Sequence, residues 1–517
     1  MKKFIAILAI FIALPISLTA QAQGADGYIL QDVSYRIDGM LLEFALSDYL
    51  AIEPGLTFKS IAQLESYIAE KDRLLKNNRV FEVESAVSLE FAPELGPGAV
   101  RVLVYAKVGW SALAVPFPKY SDADGFSIAL RYKDYNFLGT LETLSLAFDY
   151  YFTDSEASLI AEFGLLPEFL GTTWKLGFTG GLTYTESAKL APPDFTASLS
   201  ASYPLPLLGE TWSLAPSTSY RYEQHYDRHT INGGLALKYS FDALFRWSAN
   251  LSNNYTLTIV DTLKNSVRST IGLSTRILIS QLSYFGAFNL SPSTGVYTAY
   301  NLGTAVLDDA GWTTSASLGF SRADWVGNLR KGASLSLSSA YTLHFIVPVP
   351  KDLYDWATTV SASAFYAWGG LVGLNFRAMG RWEGTWTLLG EANTSVNYAT
   401  SIRGLKEARY GDLGYFYNLE LPINLAQGRF LNQERFSTEV FFVPFIDGGY
   451  VRPNPQAELF AEADTVFCGG FEFVIFPDYA RAFTYRLSVG YDLGDYLASR
   501  DFEAGKLEIW LGLGMQF

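Results

Sequence analysis

One loop in this chain carries an arginine whose setting predicts a buried ion pair. The loop is Ser401–Leu405, and in it Arg403 is followed by Gly404. Glycine lets the backbone turn sharply beside the arginine. A guanidinium that is taken out of bulk water needs a carboxylate partner, and its planar fork matches a carboxylate through two parallel hydrogen bonds. We expect a loop near residues 386–411, which contains this stretch, to fold inward, and Arg403 to lock it in place.

Two strands after this loop supply carboxylates. Asp412–Leu425 alternates apolar or aromatic residues with polar ones, a period of two that is typical of a β-strand between two different solvents. Phe436–Asp447 repeats the alternation. The pattern places Asp447 and Glu420 on the same polar face. If this face encloses an interior space, or lumen, we expect both carboxylates to pair with Arg403 there. The alternative is an exposed loop arginine and an unrelated lumen aspartate.

The sequence predicts no catalytic or metal site at the histidines. There are three, His225, His229 and His344, and the first two lie in a turn-like stretch rather than on a helix that would bring them together. The chain has no HExxH, no GxSxG and no glycine-rich phosphate loop. We therefore expect no enzymatic activity, no metal and no cofactor.

The composition predicts a transmembrane β-barrel. Aromatic residues make up 15 % of the chain and charged residues 17 %, and there are 44 glycines. No segment after the N-terminal region approaches the ~20 apolar residues of a membrane helix, whereas strand-like alternation recurs over residues 125–517. Antiparallel barrels repeat such weak signals strand after strand. At roughly 25 residues per strand and connection, the region after residue 108 predicts about sixteen strands.

The last strand, Leu507–Phe517, has a continuous oily face. Its members near the end are Leu511, Leu513, Met515 and Phe517, with Gly512 and Gly514 on the other face. A soluble protein with such an exposed edge would be prone to aggregate, so the pattern favours a barrel. The two glycines weaken strand pairing, or else leave room for bulky lumen groups.

The N-terminus predicts export. Residues 1–22 combine Lys2 and Lys3, an apolar run and the cleavage pattern Ala20-Gln21-Ala22, as in a secretory signal peptide. A membrane anchor is the alternative, but the run is short. The formal net charge of −14 disfavours nucleic acid as a partner. With Cys468 as the single cysteine, no internal disulfide can form.

Residues 23–108 predict a small α+β domain with a core of its own. Alternating residues near Val33 indicate a strand, two helical segments follow, and Ser60 is placed to begin the second helix. Two further alternating segments complete the order β-α-α-β-β. We expect residues 109–124, which contain Val115-Pro116-Phe117-Pro118, to be a stiff linker to the barrel.

Several short motifs resemble the BamA/TamA (bacterial surface antigen) superfamily of outer-membrane insertase and translocase barrels. Ile402-Arg403-Gly404-Leu405 resembles its [V/I]-R-G-[F/Y] loop motif, with Leu405 in place of the aromatic residue. Phe445-Ile446-Asp447-Gly448-Gly449 resembles its F-x-D-x-G wall motif, through Phe445, Asp447 and Gly449. Glu53–Phe58 and Asn78–Val83 resemble a POTRA domain, although the best-known members have several. The C-terminal Phe517 resembles the insertion signal of these barrels.

The resemblance implies a protein of the bacterial outer membrane with its POTRA domain in the periplasm. It implies insertion or translocation of unfolded polypeptide clients, which the POTRA domain would receive by strand addition. The bilayer and periplasmic or lipoprotein accessory proteins would be further partners. It also implies a weak seam between first and last strands as a lateral exit. The alternatives are a dedicated two-partner-type secretion transporter and a passive pore.

Overall fold

The structure is a computed structural model in which a small N-terminal domain precedes a closed β-barrel. It describes residues 27–121, 125–152, 156–164, 174–185, 194–207, 210–223, 227–242, 245–260, 263–282, 285–346, 352–387, 402–405, 410–429, 437–500, 502 and 507–513. The predicted signal peptide, His225, Ser401 and Gly514–Phe517 lie outside the described residues. So does most of the loop predicted near 386–411.

The small domain, Tyr28–Lys107, is a four-stranded sheet with two helices packed on one face. The sheet has the order β2-β1-β4-β3, with β1 parallel to β4 and the other pairs antiparallel. Its elements are β1 (Tyr28–Asp38), α1 (Glu43–Leu50), β2 (Thr57–Phe58), α2 (Ile61–Asn77), β3 (Ala86–Phe91) and β4 (Ala99–Lys107).

Helix α2 forms where the sequence predicts it. The Oγ of Ser60 accepts a hydrogen bond from the backbone N–H of Gln63 (3.3 Å), which satisfies one of the free donors at the helix start. On one face of the helix, Leu64, Ile68 and Leu75 are buried against the sheet. Each such side chain contributes about 1.5–3 kcal/mol through removal of apolar surface from water, so the domain has its own core.

The barrel is a closed sheet of consecutive strands from β5 to β26. The strand pairings in its described part are antiparallel. The strands are β5 (Ala112–Ser121), β6 (Gly125–Asp134), β7 (Leu144–Tyr151), β8 (Glu156–Gly164), β9 (Lys175–Thr185), β10 (Asp194–Leu207), β11 (Glu210–Glu223), β12 (Arg228–Asp242), β13 (Arg246–Ile259), β14 (Leu263–Thr275), β15 (Ile277–Leu282), β16 (Gly286–Asn301), β17 (Val306–Val326), β18 (Leu329–Ile346), β19 (Asp352–Trp368), β20 (Val372–Thr387), β21 (Leu413–Glu420), β22 (Ile423–Arg429), β23 (Ser437–Arg452), β24 (Thr465–Pro477), β25 (Tyr485–Asp492) and β26 (Leu507–Leu513). A third helix, α3 (Leu493–Ser499), precedes β26.

The expected number of strands, about sixteen, is too low. The described residues contain 22 barrel segments. The pairs β14/β15 and β21/β22 each run end to end along one neighbour, so 22 segments minus two leaves twenty positions around the wall. The estimate assumed longer connections than the chain has: only Gly327 and Asn328, for example, separate β17 from β18.

The expected linker is also wrong in its central part. Ala112–Ser121 is β5, the first barrel strand, and it pairs with β6 and neighbours β26. Pro116 and Pro118 suggested a connector because proline lacks the N–H that a ladder needs. Residues two apart direct their N–H groups to the same neighbour, so the two prolines weaken the ladder on one side of β5 only.

The register shows which side chains share the inner wall. Cross-strand Cα partners point to the same face of a sheet. Starting from Asp447, partners lead through Asn418 and Arg377 to Ser363, and then to Ser334 and Ser321. The arginine of the loop contacts Asp447, as described below, so this set faces the lumen.

The opposite face of the same strands is apolar. Residues next to the inner set have large hydrophobic side chains that are exposed on the barrel exterior: Leu335, Leu337, Val360, Phe376, Leu419 and Ile446. An exterior of this kind needs an apolar surrounding. No helix in the described part of the chain is long and apolar enough to cross a membrane.

Candidate functional site: an arginine lock inside the barrel

Arg403 lies inside the barrel and is held by three carboxylates. Its Nε and Nη2 donate to Oδ2 and Oδ1 of Asp447, both at 2.8 Å, which is the bidentate arrangement. Its Nη1 donates to Oε1 of Glu420 (2.8 Å) and to Oε1 of Glu472 (3.0 Å). The side chain of Arg403 is 12 % exposed, and that of Asp447 is 0 % exposed. The arrangement therefore removes a charge cluster from bulk water and pairs it internally.

An aromatic ring and a second arginine complete the cluster. The guanidinium carbon of Arg403 lies 3.7 Å from the centroid of the Phe445 ring, a cation–π contact. Arg486 donates from Nη2 to Oε2 of Glu472 and lies 3.9 Å from Oε1 of Glu420. Both glutamates thus contact two arginines, so the negative charge around Arg403 is itself compensated.

The residues beside Arg403 fit their positions closely. Gly404 has φ +85°, and a Cβ there would lie 2.8 Å from the backbone nitrogen of Tyr491. A Cβ on Gly449 would lie 2.6 Å from Cδ1 of Ile402, so the wall glycine makes room for the loop. Ile402 and Leu405 are buried in one apolar cluster with residues of β21, β23 and β24. The loop is therefore packed as well as ion-paired.

The loop also contacts the strand that closes the barrel. The backbone N–H of Gly404 donates to Oε2 of Glu508 on β26. On β25, Gly490 lies against the backbone of Arg403 and Gly404. Since β26 neighbours β5 at the closure of the barrel, one hydrogen bond connects the lock to the seam.

The sequence predicts part of this site and misses part. The structure brings Arg403 together with Asp447 and Glu420, as expected, and the wall residues Phe445 and Gly449 contact the loop. Sequence reasoning missed Glu472, Arg486 and Glu508. Each is a charged residue between apolar neighbours in a strand, and that isolated charge on an oily strand was the available signal. Of the C-terminal residues, Leu511, Gly512 and Leu513 lie in β26, whose side chains there are not described.

The histidines that the structure describes have partners on neighbouring strands. His229 Nδ1 is 2.8 Å from the Tyr220 hydroxyl. His344 lies between two carboxylates, with Nδ1 3.2 Å from Asp309 and Nε2 2.9 Å from Asp355. Among the described residues, no group of three or more His, Cys, Asp or Glu side chains is arranged to hold a metal ion.

No protein-family model and no curated protein matches the chain. Among solved structures it is similar to CdiB from Acinetobacter baumannii, with 13 % identity over 90 % of this chain and 70 % of that one, at a TM-score of 0.39. BamA from Haemophilus ducreyi lacking POTRA domains 1–3 gives 12 % identity, 94 % and 84 % coverage, and a TM-score of 0.32. CdiB from Escherichia coli gives 12 % identity over 99 % of this chain and 96 % of that one, at a TM-score of 0.38. These likenesses are too distant to carry an argument about function.

Proposed function

We propose that this protein inserts or translocates polypeptides at the bacterial outer membrane, as a member of the BamA/TamA superfamily. The observation that carries the proposal is the loop motif Ile402–Leu405, folded into a closed barrel and held by Asp447. A pore needs an open lumen and has no use for a loop that is ion-paired to the inner wall at several points. A client-handling barrel needs a lumen that is closed at rest and a locked element that can be released.

We infer the orientation in the membrane from the lengths of the connections between strands. We call the end of the barrel next to the small domain the domain end. It carries short turns such as Gly327–Asn328 and Gly369–Leu371. At the opposite end, β20 ends at Thr387 and β21 begins at Leu413, so a much longer stretch of sequence joins these two strands. Outer-membrane barrels have short periplasmic turns and longer extracellular loops, so the domain end faces the periplasm and the small domain is periplasmic.

The small domain has the element order and the sheet of a receiving module. We assign it as a POTRA domain, because its order β-α-α-β-β, with the short β2 added, follows the expected pattern. Strand β3 is at one edge of the sheet order. An unfolded client could add a strand along this edge through backbone hydrogen bonds, which tolerate many client sequences.

Depletion of the protein, followed by quantitative proteomics of outer-membrane and secreted fractions, tests the proposal. Joint loss of many barrel proteins would support a general insertase, and loss of one secreted or surface protein would support a dedicated two-partner-type transporter. If neither fraction changes while the purified protein shows a large conductance, the proposal is wrong and the protein is a passive pore.

A further inference from the structure

The small domain lies across the mouth of the barrel at the domain end. It contacts the β6–β7 connection, where the side-chain amide of Asn136 donates to the carbonyl of Met40 (2.6 Å). It also contacts the end of β17, beside the β17–β18 turn, where Arg73 and Asn77 both donate to Asp324. In a wall of twenty positions these two turns are ten apart, so they lie on opposite sides of the mouth. A domain that touches both must span the opening.

A third contact is made with the turn between β24 and β25, and it is reciprocal. Arg79 of the small domain donates from Nε to the carbonyl of Arg481. Arg481 donates from Nη1 to the carbonyl of Phe81 (3.0 Å). The guanidinium carbon of Arg79 also lies 4.5 Å from the ring of Trp325 and 5.5 Å from that of Phe476, so Arg79 is inserted between two aromatic residues of the barrel.

The charge of Arg79 is poorly compensated in this position. The residue is 6 % exposed, yet among the described residues no carboxylate forms an ion pair with it. In the described part of the chain, the side-chain atom that accepts a hydrogen bond from Arg79 is Oδ1 of Asn328 (2.5 Å), and Nη1 of Arg79 is buried without a hydrogen-bond partner. Burial, with the nearby positive charge of Arg481, lowers the pKa of Arg79 to about 9, and the attraction of Asp478 and Glu439 offsets this only in part. The docked position therefore disfavours the charge that it contains.

We propose that the small domain is a releasable cover of the barrel mouth, and that the buried, incompletely compensated charge of Arg79 sets how readily it opens. The contacts of Arg79 with the aromatic rings and the reciprocal hydrogen bonds with Arg481 hold the domain against the barrel. The desolvated guanidinium regains full hydration when the domain lifts, so it favours release. A hydrophobic residue of similar length would keep the packing against the aromatic rings and remove the free-energy cost of burying a charge. A small residue would remove the packing as well.

Thiol labelling in the full-length protein in detergent or lipid vesicles tests this. Ala482 is 5 % exposed and lies beside Asn78 and Arg79 under the small domain. In the variant Ala482→Cys, the new thiol should therefore react with a maleimide when the domain lifts. Labelling then follows the population of the open form. We expect Arg79→Ala to speed labelling by about fivefold or more and Arg79→Met to slow it by a similar factor. The native Cys468, fully buried in the barrel wall, reports any general unfolding.

Arg101→Ala is the matched control, because the ion pairs of Arg101, with Asp32, Glu90 and Glu94, all lie within the small domain. Its labelling rate should equal that of the parent. If Arg79→Met labels as fast as Arg79→Ala, the charge holds the cover shut and the proposal is overturned. Equal rates in all variants would overturn it as well. The assay needs no client, so its result is independent of whether the protein handles polypeptides.

Discussion

Arg403 and Asp447 are joined by three hydrogen bonds, two from the guanidinium and one from the backbone N–H of Arg403 to Oδ2 (2.9 Å). The aspartate therefore fixes both the position of the loop backbone and the direction of the side chain. Since Asp447 is fully buried, no water can replace the arginine without rearrangement of the wall.

Loss of either partner should destabilise the barrel, and the two losses should not add. Arg403→Met leaves buried carboxylates uncompensated, which costs about 3–5 kcal/mol. Asp447→Leu should cost less, because Glu420 and Glu472 remain bound to the arginine. The double variant should be more stable than the sum predicts by about 0.5–3 kcal/mol. Heat-induced mobility shift on gels, calibrated by urea unfolding, measures this, and strictly additive effects would show that the pair is not coupled.

Gly404→Ala should displace the loop. Its φ of +85° disfavours alanine by about 1–2 kcal/mol, and the new Cβ would overlap the backbone of Tyr491, which adds about 1–3 kcal/mol of overpacking. Gly370→Ala is the control, because Gly370 has φ +75° but open space around its Cβ position. The same thermal assay should show a larger loss for Gly404→Ala, and equal losses would mean that the close approach to Tyr491 does not matter.

Glu508→Ala should loosen the loop from the closing strand. Without the carboxylate, the buried N–H of Gly404 loses its acceptor, at a cost of about 1–3 kcal/mol. Tryptic cleavage after Arg403 should then be faster than in the parent. Glu508→Gln retains an oxygen acceptor and should be cleaved at a rate close to the parent. If the two variants are cleaved equally fast, the charge and not the hydrogen bond makes the connection.

The outlines of this fold are accessible to sequence reasoning because they depend on periodicity. Alternation identifies barrel strands, and the face of Glu420 and Asp447 follows from counting by two. The strand number does not follow, because it depends on turn lengths. The prolines in β5 led to a wrong boundary between linker and barrel. A proline removes a ladder hydrogen bond only toward the neighbouring strand that its N–H would have faced, and the sequence does not show which neighbour that is. The contacts of Glu472 and Glu508 with the loop are long-range, and alternation within one strand carries no information about what lies across the lumen.

The inner wall opposite the lock is lined by small hydroxyl side chains, so this part of the wall adds no charge of its own to the lumen. Cross-strand partners place Ser240, Ser248, Ser274, Ser293 and Ser315 in one row around the wall. Ser293 and Ser315 are hydrogen-bonded across strands (2.7 Å between hydroxyls). Such a row carries no charge, so ions of either sign should pass it with little discrimination.

In planar bilayers, Arg403→Ala should raise the conductance severalfold over the parent and favour K⁺ over Cl⁻, because it leaves Asp447, Glu420 and Glu472 without their common cation. Adding Ser315→Lys should shift the reversal potential toward Cl⁻, because a cation on the inner wall attracts anions at distances below the Debye length of about 10 Å at 0.1 M salt. Ser88→Lys, on the exposed surface of the small domain, introduces the same charge away from the wall and should leave selectivity unchanged. A selectivity shift in Ser88→Lys of the same size would show that overall charge, and not the lumen wall, controls ion passage.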